Sequence, residues 1–272
     1  MTDRGYTPED LHLFVDLDRA ARAIGLHPYL IGAGAIQLGP DMRWNVRLAR
    51  KTRDWDFAVR IDSWTQYEAL AKALVSTGFQ RSQAPHRFRH NNGGLLDVVP
   101  YGNLERPPGS IAWPDGMVMS TIGLSALDGH HEVLRIDAVK LRAASIPAVV
   151  GLKVLAYRDR RPNIVRDIQD VHAMLHQAEN CVPPDRITSE ALERLDSEEV
   201  AFPEVGAYIL GRDVGKTFQD QDLAPMNALL ATVGEADDQT VGDVLRSTDG
   251  AYVTRETVVD RLRAFRLGIH DG

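Results

Sequence analysis

The 272-residue chain has little cysteine: Cys181 is the single one. That excludes an internal disulfide and a cysteine-based zinc site, and it agrees with a reducing cytoplasm. The chain also lacks an apolar run long enough to cross a bilayer, and Met1-Thr2-Asp3-Arg4-Gly5 leads into a charged amphipathic segment rather than a leader. A soluble cytoplasmic protein without membrane contact is therefore expected. Excess positive charge is missing as well. A formal net charge of −7 at pH 7 argues against a non-specific nucleic-acid coat, which needs an overall basic surface. No internal repeat is visible. The hydrophobic content of 44% is ordinary for a globule with a real core, and the length allows one large domain or two modest ones.

The most informative stretch is Asp54-Trp55-Asp56-Phe57-Ala58-Val59, two carboxylates one residue apart leading into an apolar, β-prone run. In a strand, alternate side chains share a face, so Asp54 and Asp56 point one way and Trp55 and Phe57 the other. Like charges this close disfavour each other's ionisation unless a cation intervenes, and hard divalent ions prefer carboxylate oxygens. Mg²⁺ carrying a nucleoside triphosphate fits this pair. Ahead of it, Tyr29-Leu30-Ile31-Gly32-Ala33-Gly34-Ala35 reads as a buried strand turning through small residues into a helix, a backbone whose amides can face phosphate. Behind it, Leu95-Leu96-Asp97-Val98-Val99 is an apolar strand with one isolated acid. Burying that acid is costly without a partner, which makes Asp97 the third carboxylate of the cluster.

Helical spacing over residues 8–25, after Thr7 as N-cap, predicts a first helix, and Ser63 to Gly78 predicts a second. Residues 86–99 predict two strands joined at Asn91-Asn92-Gly93-Gly94. Residues 101–118, with Pro107-Pro108-Gly109, predict a long loop whose Trp113 covers the site. His131 to Ser145 reads as strand, Pro147 opens a helix, Pro162 starts another, and the remainder is almost wholly helical. The expected organisation is a mixed α/β catalytic domain over residues 1–145 and a helical domain over 146–272 that completes the active site.

Several patterns are open or fail. Arg43, Arg47, Arg50, Lys51 and Arg53 crowd the segment before the acidic pair, and Arg81, Arg87 and Arg89 follow; they read either as a solvated loop or as a phosphate or RNA contact. Lys153, Ala156, Tyr157 and Arg160 share a helix face. Asp167 and Asp170 lie together and either pair with Arg160, Arg161 or Arg166 or help to position Lys153. Gly32-Ala33-Gly34 lacks the third glycine of a dinucleotide fingerprint, and Gly211 to Thr217 is one residue short of a P-loop and follows a helical pattern. His130-His131 lacks the spacing of a zinc helix, and His172 and His176 are an i, i+4 pair without an acidic third ligand in reach by sequence.

The glycine-alanine turn, the Thr52-Arg53-Asp54-Trp55-Asp56-Phe57-Ala58-Val59 strand and Leu96-Asp97-Val98-Val99-Pro100-Tyr101-Gly102 together resemble the nucleotidyltransferase superfamily that includes DNA polymerase beta. Leu152-Lys153-Val154-Leu155-Ala156, Arg166-Asp167-Ile168-Gln169-Asp170 and Gly206 to Asp213 extend the likeness to the AbiEii/AbiGii toxin family within it. The resemblance implies an α+β fold, a nucleotidyltransferase-like mixed sheet flanked by helices with a helical C-terminal half. It implies Asp54, Asp56 and Asp97 as catalytic metal ligands for Mg²⁺ or Mn²⁺, and Lys153 as a catalytic triphosphate ligand. Gly32, Ala33, Gly34, Thr52, Arg160, Asp167 and Asp170 complete the implied nucleotide site. The implied activity is transfer of a nucleotide from an NTP (ATP, CTP, GTP or UTP) to a tRNA hydroxyl, by a toxin paired with a separate antitoxin. Two alternatives stay open: a small-molecule acceptor of the antibiotic type, and a non-catalytic nucleotide- or partner-binding module.

Overall fold

The computed structural model describes residues 5–41, 52, 54–161, 163–178, 182–236, 238–246 and 253–272. Arg43, Arg47, Arg50, Lys51, Arg53, Pro162 and Cys181 lie outside the described residues. The chain divides into two compact units, Met1–Val149 and Val150–Gly272.

In the first unit, helix α1 (Pro8–Ala23) starts at a capping box: Thr7 Oγ1 accepts from the Asp10 N–H at 3.2 Å, and the Asp10 carboxylate accepts from the Thr7 N–H at 2.9 Å. Strand β1 (Tyr29–Ile31) turns directly into the short helix α2 (Gly32–Leu38). Strand β2 (Asp54–Arg60) is followed by α3 (Trp64–Ser76), which Ser63 caps through its side chain. Then come β3 (Phe79–Arg81), β4 (Arg87–His90), β5 (Leu95–Tyr101), β6 (Ser110–Ala112), β7 (Val118–Ser120), β8 (His131–Ile136) and β9 (Val139–Ala144).

Seven of these strands form one sheet in the order β3-β4-β5-β2-β1-β9-β8. It is mixed: β2 runs parallel to β5 and β1 parallel to β9, while the other neighbours are antiparallel. Helices α1 and α3 back one face. Phe14 of α1 meets the rings of Trp55 and Phe57 at 4.7 and 6.4 Å, and Tyr67 of α3 donates to the carbonyl of Val98, which pairs with Phe57. Strand alternation therefore leaves Asp54 and Asp56 on the opposite face.

Three expectations need correction. The predicted strand from His131 to Ser145 is the hairpin β8–β9, reversed at Asp137, whose φ of 49° is a left-handed conformation that aspartate tolerates. The predicted loop over 101–118 contains β6, which pairs with β7 in a separate two-stranded sheet. Trp113 does not cover the carboxylates: its ring lies 5.1 Å from those of Trp64 and Tyr67 and is buried on the helix-bearing side.

The second unit is helical. It holds α4 (Ile146–Arg160) from Val150 onward, then α5 (Arg166–Ala178), α6 (Pro184–Glu190), α7 (Leu192–Asp196), α8 (Val205–Thr217), α9 (Asp220–Ala231), α10 (Gln239–Leu245) and α11 (Arg255–Asp271). The fold is thus α+β, with a helix-flanked mixed sheet followed by a helical part. Helices α8 and α11 touch backbone to backbone. A Cβ on Gly211 would lie 2.1 Å from the Phe265 carbonyl oxygen, and one on Gly268 would lie 2.0 Å from that of Tyr208. Beside this crossing, the buried Arg261 guanidinium is held by Glu204 at 3.0 and 3.4 Å. Its third nitrogen lies 3.1 Å from His172 Nε2. Because a guanidinium can only donate, His172 Nε2 accepts and the ring is neutral. Burial, reinforced by the charges of Arg261 and His176, pushes the His172 pKa down to about 4.

Two outcomes follow from this packing. Gly211→Ala and Gly268→Ala should each force α8 and α11 apart and lower stability by about 3 kcal/mol, read as a shifted urea midpoint. An unmoved midpoint in both would contradict the close crossing. The second outcome concerns acid. The folded pKa of His172 lies below the ordinary 6.5, so the unfolded chain takes up the proton first as pH falls. The stability associated with neutral His172 is complete above pH 6.5 and is lost as pH drops toward about 4, on the order of 3 kcal/mol in all. His172→Gln, which still accepts but does not titrate, should flatten the stability profile across that window; parallel profiles would refute the neutral assignment.

Candidate functional site

The strand register assembles the site. Asp56 pairs with Ile31 of β1 on one side and with Asp97 of β5 on the other, and Asp97 pairs with Arg87 of β4. Directly paired residues point to the same side, so Asp56, Asp97 and Arg87 form one lateral row on the face that α1 and α3 leave open. Asp54 stands two residues from Asp56 on that face.

The Arg87 guanidinium forks onto Asp97, with Nε donating to Oδ1 and Nη2 to Oδ2, both at 2.7 Å. Nη2 also lies 3.4 Å from Asp54 Oδ2. The hydrogen bonds to Asp97 raise the Arg87 pKa; burial opposes this, and the charges of Asp97, Asp54 and Asp56 add to the rise. Planar two-point pairing of this kind is among the stronger charge-assisted contacts. The sequence pattern shows Arg87 only as part of a basic cluster. A signal for its role is present all the same: a hairpin centred on Asn92 places residue 87 opposite residue 97.

The small-residue turn adjoins the row. Gly32, with φ of 65°, opens α2 so close to Asp56 that a Cβ there would stand 2.7 Å from Asp56 Oδ2. Gly34 is buried against Trp55, where a Cβ would come within 2.8 Å of the indole ring. Ala33 sits between them in the first turn of α2. Thr52 is tied to the start of β2: its Oγ1 donates to the Asp54 carbonyl at 2.7 Å, and its N–H donates to Gln37 Oε1 at 3.2 Å. Thr52 therefore anchors the backbone that presents Asp54.

As a donor set for a divalent ion, three carboxylates on one face are chemically suitable, and the missing Cβ at Gly32 leaves room beside Asp56. Asp54 and Asp56 would hold such an ion. Among the described residues, however, no group of three or more acidic or histidine side chains is arranged for a metal, and both oxygens of Asp97 face Arg87.

The remaining candidates belong to the helical unit. Lys153 of α4 is buried, and its ammonium lies 3.1 Å from Asp167 and 2.7 Å from Asp170 of α5. Arg160, further along the same face of α4, reaches the other oxygen of Asp167 at 2.7 Å. Burial alone would lower the lysine pKa, but the two aspartates outweigh it through charge and hydrogen bonds and leave it raised. Lys153 is thus a charged side chain held in place by Asp167 and Asp170, and Asp167 also pairs with Arg160. Gly206 to Asp213 lie within α8.

No protein-family model matches the chain, and no curated protein matches it. Among solved structures it is similar to the antibiotic-resistance factor ANT(2'')-Ia, at 16% identity and a TM-score of 0.38, covering 70% of this chain and 90% of that one. It is also similar to an antigenic nucleotidyltransferase-like protein from Paracoccidioides brasiliensis, at 19% identity and a TM-score of 0.41, covering 71% and 88%. A third similarity is to the CCA-adding enzyme of Thermotoga maritima complexed with tRNA, at 13% identity and a TM-score of 0.27, covering 99% and 82%.

Proposed function

We propose that the chain is a metal-dependent nucleotidyltransferase that moves a nucleotide from an NTP to an acceptor hydroxyl. The observation that carries this is the lateral row: Asp56 and Asp97 side by side on parallel strands, with Asp54 on the same face and the Gly32 turn against Asp56. Asp54 and Asp56 would hold Mg²⁺ or Mn²⁺ on the triphosphate, with Asp97 as the third carboxylate. Such ions stabilise charge on the attacking and leaving oxygens of an in-line displacement. The chain's own groups do the rest. The turn at Gly32, Ala33 and Gly34 faces its backbone amides to phosphate. Thr52 fixes the strand that carries Asp54. On the motif resemblance Lys153, held by Asp167 and Asp170 with the half-exposed Arg160 on the same helix face, would be a triphosphate ligand.

For the acceptor, the basic run Arg43, Arg47, Arg50, Lys51 and Arg53 favours RNA, with tRNA as the class that the motif resemblance suggests. On that resemblance alone rests the further proposal of an AbiEii-like toxin with a separate antitoxin. A small-molecule acceptor is the alternative, and a salt series distinguishes the two.

Asp54→Asn and Asp56→Asn should each abolish transfer from labelled NTP in the presence of Mg²⁺ while the protein stays folded. Wild-type-like transfer by both variants would remove the assignment. In the wild type, Mg²⁺ with the correct NTP at a hundredfold excess over its Kd should stabilise the fold by about 2.7 kcal/mol, seen as a raised Tm; a flat response to all four triphosphates would point to an inert module. With RNA as acceptor, an Arg43/Arg47/Arg50 triple alanine variant should weaken RNA binding and flatten its salt dependence by nearly one unit of slope for each phosphate that is no longer neutralised. An unchanged slope would mean that this run does not touch RNA.

A further inference from the structure

The carboxylate row carries its own cation, and this feature goes further than the assignment of metal ligands. Arg87 spans Asp97 and Asp54, at 2.7 and 3.4 Å, which are two of the three carboxylates that a divalent ion would bridge. Both oxygens of Asp97 accept from it. The two partners differ in freedom. The Asp97 side chain is 11% exposed and fixed in the middle of the sheet between β2 and β4, whereas the Arg87 side chain is 37% exposed and lies toward the outer strands. If the pair opens, the guanidinium is the group with solvent to move into, and the carboxylate stays where it is.

We propose that Arg87 is a built-in competitor for the divalent ion at Asp97. The inference rests on the metal-dependent reading above. A guanidinium and a divalent ion repel each other at hydrogen-bonding range, so the ion engages Asp97 only as Arg87 leaves it. Arg87 accordingly weakens ion binding, and it offsets part of the negative charge of the carboxylate row when no ion is bound. Arg87 is a positioning residue, because it acts through Asp97 and not on the reacting atoms.

The test reads ion binding rather than turnover. Mn²⁺ alone is titrated calorimetrically into the full chain as wild type, Arg87→Met, Asp97→Asn, the Arg87→Met/Asp97→Asn double variant and Asp54→Asn. Removing the competing charge should make Arg87→Met bind on the order of tenfold tighter than wild type, and the double variant should lose that gain. Equal or weaker binding by Arg87→Met overturns the proposal, since a residue that merely orients Asp97 as a ligand would weaken binding when removed. Should Arg87→Met fail to fold, the wild type decides the matter: the Arg87 Nε–H resonance, assigned by its loss in Arg87→Lys, must shift as Mg²⁺ saturates the protein, and an unmoved resonance overturns the proposal. Loss of Mn²⁺ binding in Asp54→Asn together with an inert Arg87 leaves the metal-dependent reading standing and removes only this inference. A wild type that binds no Mn²⁺ removes both.

Discussion

Three carboxylates on one face of a sheet repel one another, and the first unit is arranged around the relief of that repulsion. The fork of Arg87 onto Asp97 brings a positive charge into the row, and strand pairing makes it possible by setting β4 beside β5 with residue 87 opposite residue 97. Two further features of the described residues are consistent with keeping the row accessible. Helices α1 and α3 take the other face, where Trp55 and Phe57 need cover, and Gly32 withdraws its side chain from Asp56. Hydrophobic burial on one side thus frees the other for charge, as expected of a strand with period-two alternation.

The helical unit follows the same rule with buried ions. Lys153 is enclosed, and burial alone would lower its pKa; two aspartates from the next helix outweigh that and leave it raised. Arg261 is likewise enclosed, with Glu204 as counter-charge and neutral His172 as the acceptor for its remaining donor. In the second trio a cation forces a neighbour to stay neutral, whereas in the first the acids force a neighbour to stay charged. These clusters sit on helices brought into register by packing, including the glycine-mediated contact of α8 with α11 that leaves no space for a single methyl group.

On the proposed reading, a competitor cation within an acidic site would connect stability to chemistry. A cluster of acids that waited for its ion without any counter-charge would weaken the ion-free fold, and one neutralised too well would exclude the ion. Arg87 lies between these limits because one partner is buried and the other is more than a third exposed, so the pair is formed in a setting where water still screens it. On the proposed reading, the same exposure would let the guanidinium be displaced.

Local chemistry in the sequence determined a good deal. Thr7, and Asp62 or Ser63, mark helix starts because a side-chain oxygen must meet an N–H two or three residues away, and the Asn-Gly turn after His90 marks a hairpin because few residues adopt its backbone angles; the structure gives the second cap to Ser63. Alternation alone put Asp54 and Asp56 together and opposite Trp55 and Phe57. Interactions between distant segments were beyond it. The hairpin at Asp137 is not legible in the sequence because aspartate adopts a left-handed turn without glycine's signature, and the place of Trp113 is not legible because a loop residue's partners are set by whichever helix lies beneath it. Tertiary structure decided that Asp97 stands beside Asp56, that Arg87 holds Asp97, and that Asp167 and Asp170 both hold Lys153. Periodicity states which way a side chain points from its own backbone, whereas its neighbours depend on strand order and helix packing, which arise only when the whole chain buries its core.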